Sequence, residues 1–249
     1  MSYFSLIEIE INHSCNLACS YCPNALHKRK ETGEMSTELF TRLMKQLKDK
    51  DYQGLVSFHF YNEPLLCSKL DLFIEILKKH FPKARLQIYS NGQFLSYKRT
   101  MELIDLGVDY FCITKHEQMK AGYIFEKTLE QLSEENKKKV TFHKFNQIEL
   151  NNRGGLLPHL NKEEKNYSNF PCMIAQVFTV VTLLGNVLPC YEDFNQTEVM
   201  GNVGEMNIYD IWDTEHYSKF RKDLKKKRSN SSSELCKKCD NFTIVSDDW

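Results

Sequence analysis

Three cysteines lie within eight residues near the start of the chain, at Cys15, Cys19 and Cys22 in the segment NHSCNLACSYCPN. Thiolates are soft ligands that hold zinc ions and iron–sulfur clusters. A structural zinc site uses four ligands, and a disulfide framework uses an even number of cysteines. Three thiolates on a four-iron cluster would leave one iron open for a substrate or cofactor. The alternatives are a zinc site and three unrelated core cysteines.

A second set of cysteines follows in the last third of the chain, with the spacing C-x17-C, a long gap and C-x2-C: Cys172, Cys190, Cys236 and Cys239. Four thiolates suit either tetrahedral zinc or a fully ligated cluster, and the spacing alone leaves both open. The two remaining cysteines, Cys67 and Cys112, lie in or beside apolar segments. We expect them to be inert core residues.

The elements that must position these cysteines alternate between strand and helix over the first 145 or so residues. Short β-branched or aromatic runs predict strands at 6–12, 55–61, 85–90, 108–114 and 140–145. Apolar residues at helical spacing predict helices after Ser36, after Ser68 and over about 97–106, the last one ending at Gly107. This alternation predicts a parallel α/β sheet with its chemistry at the carboxyl ends of the strands, where the first cysteine loop falls.

The pattern changes near residue 165. The segment 177–193 predicts a hairpin that turns near Gly185, 207–227 predicts one helix, and SNSSSE (229–234) predicts a polar linker. We therefore expect two domains, a larger one over 1–167 and a smaller one over 168–249.

Composition and charge exclude several classes of function. The 249 residues hold 33 basic and 33 acidic side chains, so no net charge selects for nucleic acid or an acidic membrane. The basic run at 222–228 is interpreted as a solvated helix end. No apolar run approaches the ~20 residues of a membrane span, and the first residues indicate a strand rather than a secretion signal. We expect a cytoplasmic protein whose nine cysteines stay reduced, so that their spacings favour metal binding over disulfides.

The spacing C-x3-C-x2-C after the first strand resembles the radical S-adenosylmethionine (SAM) superfamily. The resemblance implies a partial (β/α)6 barrel, and a 4Fe–4S cluster whose open iron chelates SAM and cleaves it to a 5′-deoxyadenosyl radical. It also implies that Tyr21 flanks the adenine, that Glu63 in FYNEP meets the methionine amino group, and that Ser90 and Asn91 in YSNG lie near the ribose. The family has glycines where this chain has Tyr61 and Asn62.

The segment C-x12-G-x4-C from Cys172 to Cys190 resembles the auxiliary-cluster extensions of the superfamily, known as SPASM and twitch domains. The chain has the cysteines of the short, single-cluster form. The resemblance therefore implies an auxiliary 4Fe–4S cluster in place of zinc.

Several further stretches, among them KRKETGEM, NRGG, GNVLPC and EDFNQ, resemble superfamily dehydrogenases that oxidise a secondary alcohol of an aminocyclitol to a ketone in antibiotic biosynthesis. The resemblance implies a polyol or aminocyclitol substrate and an external one-electron reductant of flavodoxin or ferredoxin type. It implies that Arg153 stabilises the substrate oxygen, and that the polyol is bound by Tyr61, Tyr89, Glu192 and Asp193. Arg153 as a structural ion pair, and the two acids as turn caps, remain open.

Two rivals share these features. One is a radical SAM enzyme that modifies a peptide or another carbohydrate. The other is a non-enzymatic metal protein with zinc in the C-terminal site.

Overall fold

The computed structural model describes residues 3–119, 123–161 and 167–241, and eight strands of this part form one sheet. The strands are β1 (Leu6–Ile9), β2 (Leu55–Phe58), β3 (Arg85–Ser90), β4 (Tyr110–Lys115), β5 (Val140–Lys144), β6 (Phe178–Val181), β7 (Asn186–Leu188) and β8 (Gly201–Asn202). Their order is β5-β4-β3-β2-β1-β6-β7-β8. The first six are parallel, and β7 and β8 run antiparallel to their neighbours. The predicted parallel α/β architecture is confirmed.

The described residues form ten α-helices. They are α1 (Pro23–Leu26), α2 (Thr37–Lys48), α3 (Leu70–His80), α4 (Tyr97–Leu106), α5 (Ile124–Gln131), α6 (Glu134–Lys137), α7 (Ile174–Val177), α8 (Ile208–Asp213), α9 (Glu215–Lys226) and α10 (Glu234–Lys238). Two predicted boundaries are confirmed. The hydroxyl of Ser36 accepts the N–H of Leu39 at 3.1 Å, and Gly107 closes α4 with φ 111°. None of the described helices is long and apolar enough to cross a bilayer.

The central strands β1, β2 and β6 are buried on both faces. Ile7 and Ile9 of β1 pack with the helices in the main core, whereas Leu6 packs with Phe178 and Val180 of β6 on the inner face. Because side chains alternate along a strand, Glu8 and Glu10 lie on that same inner face as Leu6. The parallel strands also bring the loops that follow β1, β2 and β3 to one edge of the sheet.

Two predicted helices differ in the structure. Ser68 does not begin α3, because its backbone N–H and its hydroxyl both donate to the carboxylate of Glu34 at 2.6 Å. The helix begins at Leu70 instead. The single helix predicted over 207–227 is broken at Thr214. This residue has extended backbone, and its hydroxyl accepts the N–H of Tyr217 to start α9.

The predicted polar linker at 229–234 is also wrong. Ser231 and Ser233 are buried, as is Arg228 at the end of the basic run that was expected to be solvated. The guanidinium of Arg228 donates to the backbone carbonyl of Cys239 at 2.7 Å and to that of Asn241. The segment therefore packs the last two cysteines against the end of α9 and is not a linker between two domains.

The sixth parallel strand, β6, belongs to the second proposed domain and pairs with β1 over four residues. The division into 1–167 and 168–249 remains a proposal, with one sheet shared between its two parts. Residues 162–166, just before the boundary, and 242–249 at the end lie outside the described residues.

The NRGG turn packs directly against the C-terminal cysteine segment. The backbone N–H of Asn152 donates to Asp240 at 2.7 Å, and its side-chain amide donates to the carbonyl of Lys238 at 2.8 Å. Gly154 has φ 63°, and a Cβ placed on it would lie 2.4 Å from Cγ of Leu235. Only glycine permits both this conformation and this contact.

We therefore expect Gly154→Ala to destabilise the protein more than Gly33→Ala, a matched control. Gly33 also has positive φ, but a Cβ there would meet nothing within 4 Å. The control should lower the free energy of unfolding by about 1 kcal/mol from backbone strain, and Gly154→Ala by about 3 kcal/mol because overpacking is added. Anaerobic thermal melts of the two variants test this. Equal melting temperatures would contradict the packing argument.

Candidate active site

The first cysteine set lies on the loop between β1 and α1, and Cys22 is the N-cap of that helix. Burial raises the pKa of the thiols of Cys15, Cys19 and Cys22. The pKa of Cys19 rises to about 11, mainly through burial and partly through the charges of the other two thiols. The loop thus gathers three thiols in a partly dehydrated place, where an electropositive iron cluster would stabilise their thiolates. The structure brings the predicted triad together.

The loops after β2 and β3 meet at a buried carboxylate. Glu63 is 1% exposed, and its oxygens accept the hydroxyl of Ser90 at 2.9 Å and the N–H of Asn91 at 2.8 Å. Its own N–H donates to the carbonyl of Ser14 at 2.8 Å, beside the first cysteine. Burial raises the pKa of Glu63, and the bonds to Asn91 and Ser90 oppose that shift. These three predicted SAM-binding residues therefore form one unit next to the cysteine loop.

Tyr21 is buried beside two aromatic residues that the sequence gave no reason to select. Its ring stacks on Phe145 with centroids 5.1 Å apart, and its hydroxyl forms a hydrogen bond with Nδ1 of His116. Burial lowers the pKa of His116 to about 4, so this ring is neutral. Tyr21 is itself part of the cysteine loop, and its contact with adenine remains a prediction.

The second cysteine set surrounds a small cavity whose lining includes Cys172, Cys190, Cys236 and Cys239. Within the described residues, no three His, Cys, Asp or Glu side chains converge closely enough to hold a single metal ion. Thiols spread around a cavity fit a cluster of several irons better than one zinc ion. All four predicted ligands are together.

Two predicted site residues lie between the cysteine sets. The charges that act on the phenol of Tyr61 include those of Cys22 from the first set and Cys190 from the second. The guanidinium of Arg153 lies 5.5 Å from the centre of the Tyr61 ring, and its Nη1 is 3.6 Å from Oε1 of Glu192. Tyr61, Arg153 and Glu192 therefore lie where they could contact a substrate bound between the two cysteine sets.

Both Tyr61 and Arg153 have positive φ, 58° and 51°, which is uncommon for residues other than glycine. Each of these two residues and their neighbour Glu192 has one buried polar atom without a hydrogen-bond partner among the described residues. The atoms are Oη of Tyr61, Nε of Arg153 and Oε2 of Glu192. Strained backbone and unsatisfied polar atoms are both concentrated at ligand sites.

The protonation of this group follows from its burial. Burial raises the pKa of Tyr61 well above its ordinary value, so the phenol is a neutral donor. Burial alone would lower the pKa of Arg153, but Tyr61 and Glu192 raise it above its ordinary range. Because Tyr61 stays protonated, Glu192 is the neighbour that matters at neutral pH. Arg153 is therefore a fixed cation and not a base.

A cavity of about 220 Å³ opens along the inner face of the sheet, beside this group. Its polar lining comprises Ser5, Arg153, Tyr191, the predicted Tyr89, and two residues that the sequence analysis missed, Glu8 and His59. The rest is mainly apolar. A signal for Glu8 was present, because buried parallel strands are near-continuous hydrophobic runs and LIEIEI is interrupted by acids.

Asp193 has a different environment from Glu192. Its carboxylate accepts the N–H and the hydroxyl of Thr197 at 2.8 and 2.9 Å, and the N–H of Glu198 at 2.8 Å. Both oxygens are used within their own turn, which favours the turn-cap alternative for this residue. Cys67 is buried, as expected, and Cys112 is half-buried on β4.

The chain was compared with known families and proteins. The profile of the Radical SAM superfamily matches residues 9–141, and the SPASM profile, an iron–sulfur cluster-binding domain, matches residues 172–240. The chain is 46% identical, over 98% of its length and 96% of the relative, to the S-adenosyl-L-methionine-dependent 2-deoxy-scyllo-inosamine dehydrogenase of Niallia circulans.

Two solved structures give the same result. The crystal structure of BtrN in complex with AdoMet and 2-DOIA matches with a TM-score of 0.90 and 46% identity, covering 98% of this chain and 95% of that one. An open conformation of BtrN matches with a TM-score of 0.76 and 41% identity, covering 96% and 94%.

These matches confirm the predicted family, fold class and cofactors: a 4Fe–4S cluster with SAM, and an additional iron–sulfur cluster. The chain belongs to the radical SAM superfamily, as an enzyme with a C-terminal SPASM-type domain.

Proposed function

We propose that this enzyme is a dehydrogenase that oxidises a secondary alcohol of an aminocyclitol, of the 2-deoxy-scyllo-inosamine class, to a ketone. The observation that carries the proposal is the position of Arg153, Tyr61 and Glu192 between Cys22 and Cys190. The relative from Niallia circulans, named for this activity, supports the substrate class.

Oxidation of an alcohol removes a hydrogen atom from carbon, a proton from oxygen and one further electron. When bound, the first cluster with SAM supplies a 5′-deoxyadenosyl radical for the hydrogen atom, and the auxiliary cluster supplies an acceptor for the electron. The residues of the chain must therefore bind and orient the alcohol and manage its proton. Their electrostatic effect is large because the site is buried.

Arg153 and Glu192 have complementary roles in this proposal. The guanidinium holds its proton too tightly to act as a base, so it stabilises the negative charge that develops on the substrate oxygen. Oε2 of Glu192 has no partner among the described residues and is free to take the hydroxyl proton. The buried phenol of Tyr61 donates a hydrogen bond to the substrate.

The SAM-binding residues are proposed from the unit that Glu63, Ser90 and Asn91 form beside the cysteine loop. The carboxylate of Glu63 would bind the methionine ammonium, Ser90 and Asn91 would lie near the ribose, and Tyr21 would flank the adenine. Tyr89, which lines the cavity, would bind the polyol.

We also propose an external one-electron carrier of flavodoxin or ferredoxin type as reductant. Lys28 and Lys30 are exposed within eight residues of Cys22, and basic side chains there would attract such an acidic carrier. All nine cysteines are free, which is typical of proteins of the cytoplasm, where we place this enzyme.

The direct test is anaerobic turnover with SAM and reductant against a panel of aminocyclitols and neutral polyols. We expect about eight irons per chain, and 5′-deoxyadenosine and ketone in equal amounts from 2-deoxy-scyllo-inosamine. Liquid chromatography with mass spectrometry measures both products. Formation of 5′-deoxyadenosine without ketone from every compound would exclude the dehydrogenase.

The two clusters can be separated by their roles. Replacing Cys15, Cys19 and Cys22 by alanine should remove about four irons and abolish 5′-deoxyadenosine formation. Replacing Cys236 and Cys239 should remove about four irons but impair ketone formation far more than SAM cleavage. Cys67→Ala, outside both sets, should retain both activities. An auxiliary-cluster-free enzyme that makes ketone at the wild-type rate would refute the electron-acceptor role.

Arg153→Lys tests the stabilisation of the substrate oxygen. An ammonium cannot reproduce the planar fork, so ketone formation should fall by about a hundredfold, or roughly 3 kcal/mol. With substrate deuterated at the reacting carbon, deuterium should still enter 5′-deoxyadenosine, because hydrogen abstraction precedes the affected step. A variant with full iron content and unchanged ketone yield would show that Arg153 is structural.

A further inference from the structure

A second buried carboxylate lies on the inner face of the sheet, apart from the Arg153 group. Glu8, in the middle of β1, is 5% exposed. Its Oε1 lies 3.4 Å from Nδ1 of His59, and its Oε2 has no hydrogen-bond partner among the described residues. The hydroxyl of Ser57, its register partner on β2, is likewise buried without one.

Glu8 is the one carboxylate among the described residues that line the cavity on the inner face of the sheet. Its neighbours in the lining are His59, the ring of Tyr89 that packs 4.9 Å from His59, and the apolar Leu6 and Phe178. The same cavity reaches Arg153. It therefore presents one anionic group and one cationic group to a single bound molecule.

A buried carboxylate oxygen without a donor is unfavourable unless a ligand satisfies it. Cationic donors do this best, since hydrogen bonds between two charged groups are the strong ones. A metal ion does not fit, because no third His, Cys, Asp or Glu joins Glu8 and His59 within the described residues. Among the donors that a polyol substrate can carry, an ammonium group would bind this carboxylate more strongly than a hydroxyl.

We propose that Glu8, held by His59, binds the ammonium group of the substrate and thereby decides which hydroxyl faces Arg153. The proposal rests on the proposed function and adds to it a residue that determines specificity. A hydroxyl of a neutral polyol could also donate to Glu8, but the bond would lack the attraction between opposite charges, so the pocket favours an aminocyclitol over a cyclitol. The ion pair also fixes the ring in one orientation, since the two charged groups of the cavity belong to different elements.

The experiment measures binding without turnover. Dissociation constants are determined anaerobically by calorimetry on the SAM-loaded enzyme without reductant. The ligands are 2-deoxy-scyllo-inosamine and the isostere in which a hydroxyl replaces the amino group. The wild type should bind the amine about a hundredfold more tightly. Glu8→Gln should remove most of that preference and leave binding of the isostere nearly unchanged.

Ser57→Ala is the matched control. It removes a buried polar atom paired in register with Glu8 but no charge, so it should affect the two ligands equally. Glu8→Gln with the wild-type preference for the amine would overturn the proposal. If the Glu8→Gln variant does not retain its iron, the wild-type measurement is the test. Equal affinity of the wild type for the two ligands would also overturn the proposal. Ketone assays of the wild type run in parallel, and their failure would refute the proposed function separately.

Discussion

The ion pair between Glu10 and Arg29 holds the loops of the active site in one arrangement. Nη1 of Arg29 bonds Glu10 directly after β1, its Nε donates to Asn24 at 2.6 Å, and its Nη2 donates to the carbonyl of Phe60 at 2.8 Å. The second oxygen of Glu10 accepts the N–H of Leu183 at 3.0 Å. One buried pair thus joins the cysteine loop, the exit of β2 and the C-terminal hairpin. Burial raises the pKa of Glu10 to about 7, and Arg29 opposes the shift. Such pairs contribute little net stability, but losing one partner costs about 3–5 kcal/mol, so they fix geometry.

This bracing explains how the site tolerates unfavourable local structure. Tyr61 directly follows the carbonyl that Arg29 holds, and it has positive φ. Arg153 also has positive φ, and its turn is tied to the C-terminal segment through Asn152. Residues in such conformations cost about 1–3 kcal/mol each and persist only where their surroundings hold them. The result is a phenol and a guanidinium aimed into the space between the cysteine sets.

The sequence predicted those parts of the fold and site that depend on local spacing. The cysteine sets, the parallel strands and the Ser36 and Gly107 caps follow from short patterns, whereas the group of Glu63, Ser90 and Asn91 follows from the family resemblance. What failed depended on tertiary contacts. Ser68 is a good N-cap residue, but its donors bind the carboxylate of Glu34. Arg228 ends a basic run that looks solvated, yet it is buried and donates to two backbone carbonyls. The acids that interrupt β1 were a signal for Glu8, but its partner His59 could be identified only once strand pairing places both residues on one inner face.

The cavity is assembled from both parts of the chain, since Glu8 and His59 come from the first strands and Tyr191 follows a cysteine of the second set. Contacts across the two parts support this arrangement: Glu31 accepts the hydroxyl of Thr182 at 3.2 Å and the N–H of Leu184 at 3.0 Å. A site whose polar groups are already placed needs less binding energy to order them. The unpartnered oxygen of Glu8 in this cavity is thus consistent with the proposed ammonium site, whose polar groups are in place before a ligand binds.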